Sequence, residues 1–125
     1  MSVAQQAPHL QRGLAGEELA GEYLQQHGLQ LVTRNYRCKL GEIDLIMQER
    51  DHTLVFVEVR YRQNNSHGGS AASVTINKQQ KLIRTALYYL QNTKLLNKVA
   101  CRFDVLAISG PNQVEWIKDA FRPEY

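Results

Sequence analysis

The chain has 125 residues, of which 43% are hydrophobic, and this composition suits one globular α/β domain with a single core. It contains no continuous run of 18 apolar residues, so we expect no membrane span. The formal net charge of +3 is by itself a weak indication of nucleic-acid binding. Cys38 and Cys101 are far apart in the sequence, and we expect buried, reduced thiols in a cytoplasmic protein.

The charges are distributed unevenly along the chain. No acidic residue lies between Glu58 and Asp104, and most acidic residues precede that stretch. The basic residues within it are Arg60, Arg62, Lys78, Lys81, Arg84, Lys94, Lys98 and Arg102. This division predicts a basic surface beside a carboxylate-bearing one. The alternative is a solvated basic helix that only keeps the protein soluble.

The N-terminal half predicts one helix followed by three strands. We expect residues 1–12 to be a loose tail and not a signal peptide, because they lack a basic segment followed by an apolar one. Residues 14–27 have the spacing of an amphipathic helix, and Gly28 is a natural C-terminal stop. Strands are predicted at 29–36, 42–48 and 54–62. The polar residues 49–53 predict a turn between the last two.

A polar segment and a second helix follow. Residues 63–73 contain a pair of glycines and predict a mobile loop. A helix is predicted at 77–91, where Asn77 and Gln80 fit a capping box. Its predicted apolar stripe consists of Leu82, Ile83, Ala86, Leu87 and Leu90. The residues predicted on its other side are Lys78, Lys81, Thr85 and Tyr88.

Two more predicted strands complete the chain, at 102–109 and 113–118. The order helix, three strands, helix, two strands indicates a small mixed α/β domain. We place this single domain at 13–121 and expect 122–125 to be a C-terminal tail.

The predicted hairpin brings two carboxylates together. With the turn centred near Asp51, residues whose numbers add up to about 102 face each other, and Asp44 and Glu58 satisfy this condition. Directly opposed residues have Cβ atoms roughly 4.5–5.5 Å apart and point to the same face of the sheet. Strand alternation places Leu54 and Phe56 on that face too, so it is largely buried, and Arg60 also lies on it.

Two like charges on an apolar sheet face require compensation. A hard cation provides it, because carboxylate oxygens suit Mg²⁺ or Mn²⁺. Arg60 is the other candidate, and then Arg60, Asp44 and Glu58 form a plain ion-pair cluster. The spacing alone leaves both interpretations open.

Two further acids are candidates for the same site. Glu17 lies among small and apolar residues on the predicted helix, and it either supplies a third carboxylate or complements the helix dipole. Glu42 has the same strand parity as Asp44, and it is either a further ligand, a partner of Arg60 or Arg62, or a surface acid at the start of the strand.

Several short motifs along the chain match a known family. They are GLAGEELA at 13–20, RNYR at 34–37, GEIDLI at 41–46, VFVEVRYR at 55–62, RFDV at 102–105 and AF at 120–121. On these motifs the chain resembles, over nearly its whole length, the bacterial YraN family, an uncharacterised group similar to archaeal Holliday-junction resolvases. That family belongs to the PD-(D/E)xK superfamily. The resemblance therefore implies a restriction-endonuclease-like core, with a mixed central sheet flanked by helices.

The resemblance also implies catalytic roles. Asp44 would be the superfamily's metal-binding aspartate, Glu58 the acid of its (D/E)xK motif and Glu17 the glutamate of the first helix, so that these three residues hold Mg²⁺ or Mn²⁺. Arg60 stands where the family usually has lysine, which is thought to orient or activate the attacking water and to stabilise the phosphorane. Since a guanidinium does not deprotonate at any useful pH, Arg60 cannot be a general base, but it can stabilise negative charge on phosphate.

The function that the resemblance implies is a metal-dependent endonuclease acting on branched or single-stranded DNA. The residues expected to bind the DNA backbone are Arg62, Lys78, Lys81 and Arg84, with strong salt dependence and little sequence reading. Analogy with the resolvases also implies a homodimer. Two alternatives stay open. Because Arg60 replaces lysine, the same fold would serve as a non-catalytic nucleic-acid-binding module; the other alternative is an adaptor that docks on DNA-processing proteins without a metal.

Overall fold

The computed structural model describes residues 8–61, 74–110 and 113–123. Within these ranges the elements are α1 (Pro8–Gln26), β1 (Gln30–Cys38), β2 (Gly41–Gln48), β3 (Leu54–Tyr61), α2 (Ile76–Asn92), β4 (Cys101–Gly110) and β5 (Gln113–Phe121). The predicted order of elements is confirmed. The loop predicted at 63–73, together with Arg62, lies outside the described residues.

The five described strands form one mixed sheet in the order β1-β2-β3-β4-β5. β3 and β4 run parallel, whereas β1 pairs with β2, β2 with β3, and β4 with β5 in antiparallel fashion. Parallel neighbours need a crossover connection, and α2 belongs to it. α2 therefore lies between β3 and β4 in the chain and packs on one face of the sheet.

One helix packs on each face of the sheet. The core beneath α1 includes Ala20, Leu24, Leu45, Met47, Val55, Val57, Leu106 and Ile108. The core beneath α2 includes Ile43, Ile46, Leu54, Phe56, Leu82, Ala86, Leu90 and Phe103. β3 contributes alternate residues to both cores, which explains why its sequence is almost continuously apolar before Glu58. The ring of Phe56 stacks on Phe103, with centroids 5.4 Å apart.

The first helix is longer than predicted. It begins at Pro8, so the expectation of a loose tail is wrong from that residue onward. A proline lacks the N–H group that the first helical turn leaves unpaired, and its fixed φ favours helix initiation. The predicted stop at Gly28 is confirmed, since this residue has φ 99° and donates its N–H to the Gln25 carbonyl. The N–H of Leu29 donates to the Leu24 carbonyl, which completes a Schellman motif.

The second helix is capped differently from the prediction. Thr75 is the N-cap, and its hydroxyl accepts the Lys78 N–H over 3.1 Å, so the capping box at Asn77 is wrong. Thr85, expected on the polar side, is fully buried, and its hydroxyl donates to the carbonyl one turn earlier. Leu87, expected in the apolar stripe, is 37% exposed.

Other expectations need smaller corrections. Both cysteines are free as predicted, but neither is buried, since Cys38 is half-buried and Cys101 is exposed. The expected tail after residue 121 is attached at Arg122, whose Nη2 lies 2.5 Å from Asp119 Oδ2. No helix in the described ranges has the length and hydropathy to cross a membrane.

Candidate functional site

The predicted register between β2 and β3 is confirmed. Leu45 pairs with Val57, and the ladder continues to the pair of Gln48 with Leu54. Asp44 and Glu58 lie one position beyond the pair of Leu45 and Val57, at the end of the hairpin opposite its turn. There the Val59 N–H donates to Asp44 Oδ2 over 2.8 Å. The Asp44 carboxylate of β2 thus accepts a hydrogen bond from a main-chain N–H of β3. This bond holds the carboxylate beside Glu58.

The two carboxylates open onto a pocket between the sheet and the start of α2. Its cavity volume is about 270 Å³, and its walls are Gly41, Glu42, Asp44, Glu58, Lys78, Lys81 and Leu82. Gly41 permits this close approach, because a Cβ atom there would lie 2.7 Å from the hydroxyl oxygen of Thr85. The pocket therefore combines three carboxylates with two lysines at the point where β2 and α2 meet.

The fold disfavours ionisation of the Asp44 carboxyl group. Burial and the neighbouring charge of Glu58 raise the pKa of Asp44 to about 7, although the Val59 N–H opposes the shift. The charges of Glu17 and Glu42 raise this pKa further. The charge of Glu17 on α1 thus reaches Asp44, although Glu17 is not one of the residues that line the pocket.

Glu58 has cationic neighbours. Its side chain is 10% exposed, and Lys78 Nζ lies 3.6 Å from its Oε2. Burial raises the pKa of Glu58, while the positive charges of Lys78 and Arg60 oppose that shift. The ion pair expected for Arg60 is therefore made by Lys78 at this distance, and Arg60 contributes its charge as a half-buried neighbour.

The remaining predicted site residues separate into two groups. Glu42 lines the pocket, and its Oε1 forms an ion pair with Arg37 Nε, 3.6 Å away. Lys81 also lines the pocket. Arg84 is exposed and points about 120° away from Lys78 around the helix axis, so it does not join this pocket wall.

The acids are close but not yet arranged as a finished metal site. In the described part of the chain, no three His, Cys, Asp or Glu side chains already stand in positions that could hold an ion. In this arrangement the Val59 N–H donates to one oxygen of Asp44, and Lys78 lies beside Glu58. A cation would have to draw the carboxylates together and separate Lys78 from Glu58.

A second polar network was not foreseen. Asp104 is fully buried and accepts hydrogen bonds from Arg102 Nε at 3.0 Å, Trp116 Nε1 at 2.9 Å and the Asp119 N–H at 2.9 Å. Arg102 also contacts Glu49, which follows β2. These donors come from β4 and β5, so the network joins the last two strands. The acid inside the apolar run of the RFDV motif is the signal that points to it.

Comparison with known proteins shows one family. A family model described as uncharacterised protein family UPF0102 matches residues 16–108. A UPF0102 protein of Coxiella burnetii is 49% identical over 113 residues, covering 90% of this chain and 93% of that protein. One from Nitrosococcus oceani is 48% identical over 121 residues, covering 94% and 97%. One from Aeromonas hydrophila is 54% identical over 112 residues, covering 88% and 84%.

Two solved structures are more distantly similar. The EndoMS–dsDNA2 complex is 15% identical with a TM-score of 0.40, and the alignment covers 74% of this chain and 35% of that one. SfsA of Pyrococcus furiosus in complex with Ca²⁺ is 14% identical with a TM-score of 0.33, covering 88% and 63%. This chain thus spans less than two thirds of either protein. Both TM-scores are low, so neither likeness decides the function.

Proposed function

We propose that this chain, which belongs to the uncharacterised protein family UPF0102, is a metal-dependent nuclease that hydrolyses phosphodiester bonds in DNA. The observation that best supports the proposal is the grouping of Asp44, Glu58 and the nearby charge of Glu17 beside two lysines of α2. The proposal extends the resemblance to Holliday-junction resolvases of the PD-(D/E)xK superfamily. Branched or single-stranded DNA is accordingly the proposed substrate, and a homodimer the proposed assembly.

Asp44 and Glu58 of the pocket, together with Glu17 of α1, have the donor chemistry that suits Mg²⁺ or Mn²⁺. Carboxylate oxygens are the donors that these hard cations prefer, and Glu17, Asp44 and Glu58 would hold the ion. The raised pKa of Asp44 supports the fit, because a bound cation would offset the burial and the charge of Glu58 that raise this pKa. A bound cation would stabilise negative charge on the phosphate and lower the pKa of a water molecule. Since ligands must be deprotonated, metal affinity is expected to fall below pH 7.

The chain's own cations account for the rest of the proposed chemistry. Arg60 lies near Glu58, and its guanidinium can stabilise charge on a scissile phosphate without accepting a proton. Lys81 adds an ammonium group at the same pocket wall. Both contacts are to phosphate oxygens, so they favour a nucleic-acid backbone over a particular base sequence. The expected affinity therefore falls steeply with salt.

One assay tests the proposal directly. Purified protein is incubated with Mn²⁺ and end-labelled branched, single-stranded and duplex DNA, beside Asp44→Ala and Arg60→Lys. Glu22→Gln is a matched control, because it removes one exposed carboxylate from α1. We expect the wild type and the control to cut DNA and Asp44→Ala to be inactive. Absence of any heat of Mn²⁺ binding to the wild type, measured by calorimetry, would contradict the metal site before cleavage is tested.

A non-catalytic nucleic-acid-binding module is the second candidate. The observation in its favour is that Arg60 occupies the lysine position, while Lys78 already neutralises Glu58. In that case the wild type binds DNA in a salt-sensitive manner and does not cut it, and the binding survives in Asp44→Ala. If Arg60→Lys then cuts DNA, the natural chain lacks only the step that this lysine serves.

A further inference from the structure

Lys78 occupies the place where the carboxylates need a positive charge. Its Nζ lies 3.6 Å from Glu58 Oε2, and the two side chains are 46% and 10% exposed. This distance is longer than that of a well-formed N–H···O hydrogen bond, so the contact is mainly coulombic. The same pocket wall holds Asp44. The ammonium therefore lies at the edge of the acidic group and remains open to solvent.

The helix holds the backbone of Lys78 firmly but leaves its side chain free to move. The Lys78 N–H donates to the Thr75 hydroxyl over 3.1 Å, which places the residue in the capped first turn of α2. A second contact closes this turn, since Gln79 Nε2 donates to the Val74 carbonyl over 2.9 Å. Lysine carries a compact charge on a flexible four-carbon stem, so its ammonium can move several ångströms without any change in the helix.

We propose that Lys78 is the resident counter-cation of Glu58 in the metal-free protein, that a divalent cation displaces it, and that the displaced ammonium binds a DNA phosphate at the mouth of the same pocket. This inference rests on the proposed function. It gives the site a lysine from α2, although the third position of the (D/E)xK motif is Arg60. It also predicts that metal and DNA each strengthen the binding of the other, because both binding events depend on the same displacement of Lys78 from Glu58.

The first test measures Mn²⁺ binding by calorimetry in the wild type, Lys78→Met and Lys81→Met. Lys81 is the matched control, because it lies on the same helix and lines the same pocket but is outside the ion pair with Glu58. Lys78→Met has no ion pair to break, so we expect it to bind Mn²⁺ about fivefold more tightly than the wild type. Lys81→Met should change the affinity clearly less. Lys78→Arg keeps the charge and should stay near the wild type.

The second test measures binding of a labelled single-stranded oligonucleotide, by fluorescence anisotropy, with and without Mn²⁺. A gel confirms that the oligonucleotide remains intact. We expect Mn²⁺ to tighten DNA binding by the wild type, and Lys78→Met to lose most of this increase. Lys81→Met should weaken DNA binding by a similar factor in both conditions.

The outcomes separate the inference from the proposed function. If the wild type binds Mn²⁺ but Lys78→Met behaves like Lys81→Met in both tests, the displacement of Lys78 is wrong and the metal site stands. If the wild type shows no Mn²⁺ binding, the metal site itself is wrong, and the displacement is wrong with it.

Discussion

Replacing Asp44 by asparagine isolates the charge of the site from its shape. The amide oxygen of asparagine can still accept the Val59 N–H, which Asp44 Oδ2 now accepts over 2.8 Å. The change removes one negative charge beside Glu58 and leaves the volume of the side chain almost unaltered. Any difference in stability between the two proteins therefore reports on the ionised carboxylate.

The raised pKa of Asp44 sets the size and the sign of the effect. The fold disfavours the ionised form of Asp44, whereas the unfolded chain does not. The wild type therefore loses stability as the pH rises from 3.8, the ordinary pKa, through about 7, the pKa in the folded protein. One pKa unit corresponds to about 1.4 kcal/mol, so the shift lowers the free energy of unfolding by at most about 4 kcal/mol at high pH. Water at the open mouth of the pocket lowers this ceiling, and we expect Asp44→Asn to be more stable by about 2 kcal/mol.

Urea unfolding in the presence of a chelator, at pH 4 and at pH 8, measures the difference. We expect Asp44→Asn and the wild type to unfold alike at pH 4, and the variant to shift to higher urea by about 1 M at pH 8. Glu22→Gln controls for the change in net charge, since Glu22 is exposed on α1. Equal stability of Asp44→Asn and the wild type at pH 8 would refute an uncompensated charge at Asp44. Added Mn²⁺ should then stabilise the wild type and leave Asp44→Asn unchanged.

Two further substitutions test a steric contact and a hydrogen-bond network outside the pocket. A Cβ atom on Gly16 would lie 2.6 Å from Cε2 of Tyr61, so Gly16→Ala should destabilise the protein by about 1 kcal/mol despite the better helix propensity of alanine. In a Tyr61→Ala background the same change should be neutral or stabilising, and a loss of equal size in both backgrounds would place the clash elsewhere. Asp104→Asn places an amide NH₂ group, itself a donor, among the three groups that donate to Asp104. We expect it to lower the free energy of unfolding, measured in urea, by about 3 kcal/mol. Trp116→Phe removes only one of those donors, so a larger loss than for Asp104→Asn would argue against the network.

The strands and their register could be predicted because they depend on local sequence, namely the alternation of side chains along a strand and the position of the turn. The turn near Asp51 determines which residues of β2 and β3 face each other, and the pair of Leu45 with Val57 follows the predicted register. The same arithmetic brought Asp44 and Glu58 to one end of the hairpin. What it missed is the way the ladder ends, where the Asp44 carboxylate accepts a main-chain N–H from β3.

The contact between Lys78 and Glu58 could not be predicted in the same way. It depends on how the first turn of α2 is placed relative to the end of β3, which local sequence patterns do not specify. The sequence predicts Lys78 as a DNA-binding residue, because the sequence shows its positive charge but does not show that Glu58 lies beside it. The N-cap is Thr75 and not Asn77, and residue type alone could not decide this, since both residues are good caps.

The scaffold and the site have opposite effects on stability. Apolar contacts fill both faces of β3, whereas the raised pKa values of Asp44 and Glu58 show that their ionised forms are disfavoured in the fold. The pairs from Leu45 with Val57 onward already define the hairpin, so its register does not require these acids. Well-packed apolar residues at such positions are often at least as stable as buried charges. Under the proposed function, these carboxylates serve ion binding and not stability, and Asp44→Asn should therefore gain stability and lose Mn²⁺ binding together.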